Sequence, residues 1–291
     1  MKGYRGLIRE FSYALKYLLG KDAAGRNFIV FPDDVFLVSY PRSGNTWSRF
    51  LIANLISPHR PVTFQNIERF IPDICVQPKR YLRTLPRPRI IKSHEYFDPR
   101  YKKVIYIVRD PRDVALSYYR FHLKFGRFKR DYPIEKYTES FVAGELDQYG
   151  SWAENVGSWL VARHHQPGFL LLHYEAMLAN PVAELAKAAH FLGIEGTQER
   201  LANAVERSSV DRMRQLEATQ ADKWIVTKGR PKDIPFVGAA TSGGWRSALP
   251  PQSVAIIEKA WRPLMFWLGY ELVSPHGLDN SLRTIPVSIL D

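Results

Sequence analysis

Short apolar runs that each stop at a turn constrain this chain more than any other feature. Val35-Phe36-Leu37-Val38-Ser39 ends at a turn containing Pro41 and Gly44. Val104 to Val108 and Phe169 to Tyr174 are two more, and Arg89-Ile90-Ile91-Lys92 is a shorter candidate. A run with no polar alternation is buried on both faces, as strands of a parallel sheet are. Helical spacing fills the intervals. Trp47, Leu51, Ile52 and Leu55 share a face. Pro111 opens a helix to about Phe125 with Asp110 as its N-cap, and Asn180-Pro181 opens another that closes at Gly193. A last helix runs over residues 251–268. Strands alternating with helices predict an α/β fold, a single domain with a central parallel β-sheet flanked by helices.

The expected layout is an N-terminal helical extension over 1–30, the domain over 31–273 and a C-terminal tail over 274–291. In the extension, Tyr4, Leu7, Ile8, Phe11, Leu15 and Leu18 recur at helical spacing between basic residues. This predicts a helix docked on the surface, with peripheral membrane contact through residues 4–18 as the alternative. No apolar stretch reaches the ~18–20 residues that cross a bilayer. The first ten residues carry Lys2, Arg5, Arg9 and Glu10 instead of a signal-peptide core. Cys75 is the only cysteine, so no intrachain disulfide and no cysteine-based metal site can form. These features predict a cytoplasmic protein. None of them specifies an oligomeric state.

The 41 Lys/Arg and 29 Asp/Glu give a net charge of +12. Residues 79–130 hold sixteen of those cations and four acids, so the remaining chain balances to zero. A surplus confined to one stretch predicts an anionic partner at one place. Nucleic acid, a phosphorylated cofactor and an anionic surface all satisfy it.

Two local patterns narrow that choice. Tyr40-Pro41-Arg42-Ser43-Gly44-Asn45-Thr46-Trp47 lies between a strand and a helix. Backbone N–H groups at a helix N-terminus attract anions, Gly44 permits close approach, and Arg42 adds a fork of donors. The P-loop pattern Gly-x-x-x-x-Gly-Lys-Ser/Thr is absent. The second pattern follows the Val104 strand. Arg109 stands at its end, where ligands of open parallel sheets bind, and Ser117 lies two helical turns on. Arg112 and Asp113, between them, read as a surface pair.

Together these residues resemble the soluble, cytosolic-type sulfotransferases that use 3′-phosphoadenylyl sulfate. The loop at residues 36–47 is similar to that family's 5′-phosphosulfate loop, and Tyr106 to Ser117 to its 3′-phosphate site. Lys92-Ser93-His94 resembles its Lys-Thr/Ser-His element. Tyr174-Glu175-Ala176-Met177 before Pro181 resembles its Tyr-Glu-Asp-Met segment. Gly243-Gly244-Trp245-Arg246 resembles its late Gly-Asp-Trp-Lys stretch, and the matches run in family order from about 35 to 268.

The resemblance implies a sulfuryl transfer to a hydroxyl or amine of a small-molecule, lipid or glycan acceptor. The implied donor-binding residues are Arg42, Ser43, Gly44, Asn45, Thr46, Arg109 and Ser117 for the phosphates. Trp47, Tyr174, Ser208, Val210 and Met213 fall where the family contacts adenine. His94 is the expected general base, because an imidazole with a pKa near 6.5 accepts a proton near neutrality. Lys92, two residues earlier on a strand, shares its face and would neutralise sulfuryl oxygens. Arg42 stands where many relatives carry Lys; it stabilises leaving-group charge but cannot give up a proton. A site rich in cations implies no metal, and the pocket implies no nucleic acid partner.

One segment departs from the family. Relatives carry Phe-x-Arg-Lys-Gly before the Gly-Asp-Trp stretch, and its cations grip the 3′-phosphate. Here the aligned residues are Phe236, Val237, Gly238, Ala239 and Ala240. Lys228, Arg230 and Lys232 lie just upstream. The alternatives to a working sulfotransferase are therefore a catalytically impaired, nucleotide-binding member and a nucleotide-dependent kinase.

Overall fold

A computed structural model of the chain describes residues 22–224, 226–229, 235–238 and 240–274. The expected N-terminal helix, nearly all of the C-terminal tail, Arg230, Lys232 and Ala239 lie outside the described residues. Four parallel strands form one sheet: β1 Val35–Ser39, β2 Ile90–Ser93, β3 Lys103–Val108 and β4 Phe169–His173. Their order is β2-β1-β3-β4. Val35 lies opposite Ile90 on one side and Lys103 on the other, and Val104 opposite Phe169.

Among the described residues the helices are α1 Asn45–Ile56, α2 Ile67–Phe70, α3 Lys79–Thr84, α4 Pro111–Lys124, α5 Ile134–Val142, α6 Trp152–Arg163, α7 Tyr174–Ala179, α8 Pro181–Leu192, α9 Gln198–Arg207, α10 Val210–Gln220, α11 Trp245–Ala248 and α12 Pro251–Trp267. The strands fall where the apolar runs are, with shifted ends: β2 covers Ile90–Ser93 instead of Arg89–Lys92, and β3 begins at Lys103. Tyr174 starts α7 instead of ending β4.

Side-chain alternation explains why the runs are apolar throughout. Phe36, Val38, Val104, Tyr106 and Val108 face a core shared with α4, α6 and α12. Leu37, Ile105, Ile107 and Leu172 face a second core shared with α1, α8 and α9. A polar residue at any of these positions would be buried on one face or the other.

The same alternation sets the ligand crevice. Helix α1 follows β1 onto one face, with Phe50, Leu51 and Leu55 in the second core. Helix α4 follows β3 onto the opposite face, with Val114 and Tyr118 in the first. Adjacent strands whose connections leave to opposite sides open a crevice at their carboxyl ends. The Tyr40–Gly44 loop and Arg109 are the residues that meet there.

Candidate active site

Helix α1 begins without a side-chain cap, on Gly44 at φ 91°. A Cβ on Gly44 would sit 2.3 Å from Tyr174 Cδ2, so only glycine lets this turn pass under the Tyr174 ring. Arg42 also adopts a left-handed backbone, φ 68°, which costs a non-glycine residue about 1 kcal/mol or more. That conformation turns its guanidinium into the crevice. Arg42 Nε donates to Ser117 Oγ at 3.2 Å, and its Cζ lies 4.9 Å from the Phe121 ring centre and 5.1 Å from that of Phe236.

Arg109 approaches from β3. It donates to the Arg42 carbonyl at 3.1 Å and to the Thr241 carbonyl at 3.2 Å, and its Cζ stands 4.3 Å from the Tyr174 ring centre. Two guanidiniums and Ser117 thus share one cradle. Their partners there are carbonyls, a hydroxyl and rings, not carboxylates. Burial first, and Arg109 second, push the Arg42 pKa down to about 10. A guanidinium so disfavoured gains when an anion arrives. Ser43 Oγ and Arg109 Nε are buried without a hydrogen-bond partner among the described residues. Unsatisfied donors beside two cations fit a phosphate-bearing ligand, and Trp47 and Tyr174, in edge contact at 5.9 Å, flank the same turn.

His94 follows the last residue of β2. Its Nδ1 lies 2.7 Å from the Ser39 carbonyl. A carbonyl only accepts, so Nδ1 carries the proton and Nε2 keeps the lone pair. The backbone here is held from α6: Asn155 Nδ2 donates to the His94 carbonyl at 3.0 Å and Trp159 Nε1 to the Glu95 carbonyl at 3.0 Å. Asn155 is fixed in turn by the Tyr106 hydroxyl. Burial, then the Lys92 cation, push the His94 pKa down to about 3, against the pull of Asp73. The ring is thus held in its neutral, proton-accepting form, but as a weaker base than the ordinary imidazole that the sequence argument assumes.

The sulfotransferase domain family model matches residues 32–268. The chain belongs to the sulfotransferase family. Mouse sulfotransferase 1B1 is 31% identical over 74% of this chain and 77% of its own length. Rat sulfotransferase 1A1 is 30% identical over 80% and 84%. The fold matches that of mouse sulfotransferase SULT7A1 complexed with PAP, at TM-score 0.66 and 24% identity over 82% and 86% of the two chains. It also matches retinol dehydratase in a complex with retinol and PAP, at TM-score 0.68 and 20% identity over 87% and 86%. The protein is a sulfotransferase with a single parallel-sheet α/β domain. No helix among the described residues is long and apolar enough to cross a membrane.

The sulfotransferase brings together most of the residues its sequence singles out, and redirects several. Lys92 is ion-paired, with Nζ 2.6 Å from Asp73 Oδ2, both side chains buried. The sequence contains no signal that joins two residues nineteen apart across a turn. Arg112 and Asp113 are not a surface pair. Arg112 is buried between Asp110, at 2.7 Å, and Glu258, at 2.5 Å. Asp113 is also buried, and it accepts from the Gly243 and Trp245 amides at 2.7 and 3.0 Å. The asparagine side chain of Asn45 turns back into the sheet, donating to Ser39 Oγ and the Leu37 carbonyl. Ser208 is fully buried; its hydroxyl donates to the Ala204 carbonyl and accepts from Asn54, while its carbonyl accepts from Trp47 Nε1 at 3.0 Å. It therefore orients Trp47 more directly than it could reach a ligand. Met213 is buried and Val210 is half-buried beside it on α10. Phe236 is buried against Arg42, Phe121 and Trp224, and Gly238 and Ala240 flank the segment that reaches Arg109 through Thr241. Phe64 packs on Phe50 and Trp224, and Phe97 on Trp159.

Sequence reasoning missed the residues that hold the cradle in place. Trp152 Nε1 donates to the Arg109 carbonyl at 3.2 Å, and Glu175 accepts from the Asp110 amide at 2.9 Å. Glu217 accepts from the Phe236 and Val237 amides at 2.6 and 2.8 Å. Arg214 Nη2 reaches the Gly238 carbonyl at 3.2 Å, which places one cation beside the segment that lacks the late Arg-Lys pair.

Proposed function

We propose that this sulfotransferase transfers the sulfuryl group to a hydroxyl or amine of a small-molecule, lipid or glycan acceptor, with His94 as general base. The observation that carries the reading is the Nδ1 bond to the carbonyl of Ser39, the last residue of β1 before the Arg42 turn, which leaves Nε2 as the basic nitrogen. The donor supplies the sulfuryl group and a phosphate leaving group. His94 Nε2 takes the acceptor proton as the acceptor oxygen or nitrogen bonds to sulfur. The bond from sulfur to the phosphate oxygen breaks, and its electron pair stays on that oxygen. Arg42, with the amides of the Ser43–Thr46 turn, stabilises the charge that appears there. Lys92 neutralises sulfuryl oxygens. Arg109 and Ser117 hold the 3′-phosphate, and Trp47 and Tyr174 hold the adenine. Protein cations carry the electrostatic load, so no metal enters the reading. Cytoplasm is the compartment that fits a chain with one cysteine.

Adenosine 3′,5′-bisphosphate tests the donor half. It should raise the melting temperature of the wild type, and Arg109→Ala should remove most of that shift, since a charge-assisted contact is worth about 1.5–3 kcal/mol. No shift at a saturating concentration of the nucleotide sinks the assignment. His94→Ala should keep the shift and lose turnover; undiminished turnover excludes His94 as the base.

A further inference from the structure

Beside the end of β2, the partner of Lys92 has no role yet. Asp73 Oδ2 accepts from Lys92 Nζ at 2.6 Å, and Asp73 Oδ1 accepts from the Cys75 amide at 2.8 Å. Cys75 Sγ lies 2.9 Å from the Tyr149 hydroxyl, and the Tyr149 ring stands edge-on to His94 at 5.6 Å. These contacts link Lys92 to Asp73 and, through Cys75 and Tyr149, to the His94 ring.

Asp73 is pinned in this place. Its backbone forms a parallel bridge with Lys92 beside β2, and the Lys92 amide donates to the Pro72 carbonyl at 2.8 Å. Its own amide donates to Glu68 Oε2 at 2.9 Å, and Glu68 is held by buried Arg49 at 2.8 Å. A carboxylate so deeply buried is costly to build unless its charge is used.

Its use follows from the charges around His94. Lys92 on β2 and Arg42 on the β1–α1 turn both oppose an imidazolium, whereas Asp73 favours one. Burial holds the Cys75 thiol and the Tyr149 phenol in their neutral forms. Burial opposes the charge of Asp73 too, but Lys92, Arg49 and His94 outweigh it and keep the carboxyl below its ordinary range.

We propose that Asp73 is a positioning residue of the transfer: its carboxylate holds the Lys92 ammonium beside His94 and supplies the counter-charge that lets the ring accept the acceptor's proton. The inference rests on the reading of His94 as the base. In the step, the proton moves from acceptor to Nε2 and none moves to Asp73. The imidazolium then forms next to a neutralised ammonium instead of a bare one.

The test follows adenosine 3′,5′-bisphosphate released from 3′-phosphoadenylyl sulfate, with water as the acceptor and then with a simple phenol. Asp73→Asn should lower kcat roughly 10- to 100-fold, less than the ~10²–10⁴-fold of a general base itself, with KM for the donor nearly unchanged. Binding of adenosine 3′,5′-bisphosphate should stay within about threefold, because Arg42, Arg109 and Ser117 lie apart from Asp73. Asp73→Glu should recover part of the rate. In a His94→Gln background, Asp73→Asn should cost no further rate. Turnover of Asp73→Asn within about threefold of wild type overturns the proposal. So does an equal loss of nucleotide binding and rate, which marks a merely structural role. If Asp73→Asn does not fold, Asp73→Ser is read in the same way. A His94→Ala enzyme that still turns over defeats the base reading itself, independently of any Asp73 result.

Discussion

At the residue scale the decisive observation is a hydrogen bond that fixes a tautomer. The Ser39 carbonyl takes the Nδ1 proton of His94, so the ring presents Nε2. Its pKa, pushed down to about 3 by burial and by Lys92, has a consequence for stability. In the unfolded chain the same ring protonates through about pH 6.5, its ordinary value. Between pH 6.5 and 3 the unfolded state therefore binds the extra proton. The His94 contribution is complete above pH 6.5 and is lost progressively as pH falls toward 3. Urea unfolding at pH 7 and pH 5 should show a drop in stability that His94→Gln partly removes. In ring-carbon NMR, the His94 signal should not titrate between pH 8 and pH 5. A midpoint near 6.5 would contradict the burial that the structure gives this ring. The position of His94 was legible, because Lys92-Ser93-His94 follows an apolar run. Its environment was not, because Asp73, Tyr149 and Asn155 reach it from three separate segments.

At the element scale, legibility followed local chemistry. Asp110-Pro111 and Asn180-Pro181 announce helices, and both caps form: Asp110 accepts from the Arg112 amide, and Asn180 from the Ala183 amide. Helix α6 was readable but unread. Ser151 and Glu154 make a capping box, whose Ser-x-x-Glu spacing stands in the sequence. Helices α9 and α10 start on Thr197 and Ser209 caps that no Asp-Pro or Asn-Pro marks. The stretch 219–250 carries no periodic pattern; carboxylates outside it tie it down at fixed points, and no local pattern reveals such ties. Glu217 holds its middle and Asp113 its end. Asp113 lies in the first turn of α4, yet it receives the two amides that start α11. Asp113→Ala leaves both without their acceptor, each costing about 1–3 kcal/mol where water cannot replace it. The expected result is a lower melting temperature together with weaker adenosine 3′,5′-bisphosphate binding, because the Thr241 carbonyl that steadies Arg109 sits just before this anchor. Calorimetric titration checks the second effect. Unchanged affinity would mean that the 241–245 segment does not shape the cradle.

At the scale of the whole molecule, the charge surplus means something other than its position in the sequence suggests. Many of the cations between residues 79 and 130 answer carboxylates from elsewhere or nearby. Arg87 pairs with Asp33, Arg89 with Asp34, Lys92 with Asp73, Arg100 with Asp98, Arg112 with Asp110 and Glu258, and Lys124 with Glu217. The acids at 33, 34, 73, 217 and 258 lie outside the basic stretch, so the stretch is cationic because its partners were drawn from the neutral remainder. Folding draws at least six of the sixteen cations into ion pairs, and Arg89, Lys92, Arg112 and Lys124 into buried ones. The crevice keeps Arg42 and Arg109, whose contacts are carbonyls, a hydroxyl and rings. A diffuse basic face and a two-arginine pocket respond differently to ligands. A compact bisphosphate that reaches the pocket at a hundredfold its Kd should stabilise the native state by about 2.7 kcal/mol. For a chain of this size that raises Tm by roughly 5 °C. A single-stranded oligonucleotide meets only screened surface charge, and at about 0.15 M salt such contacts fade beyond ~8 Å. It should leave Tm unchanged, and adding it should not displace bound adenosine 3′,5′-bisphosphate. Equal protection by both ligands would place the functional charge on the surface instead of between β1 and β3.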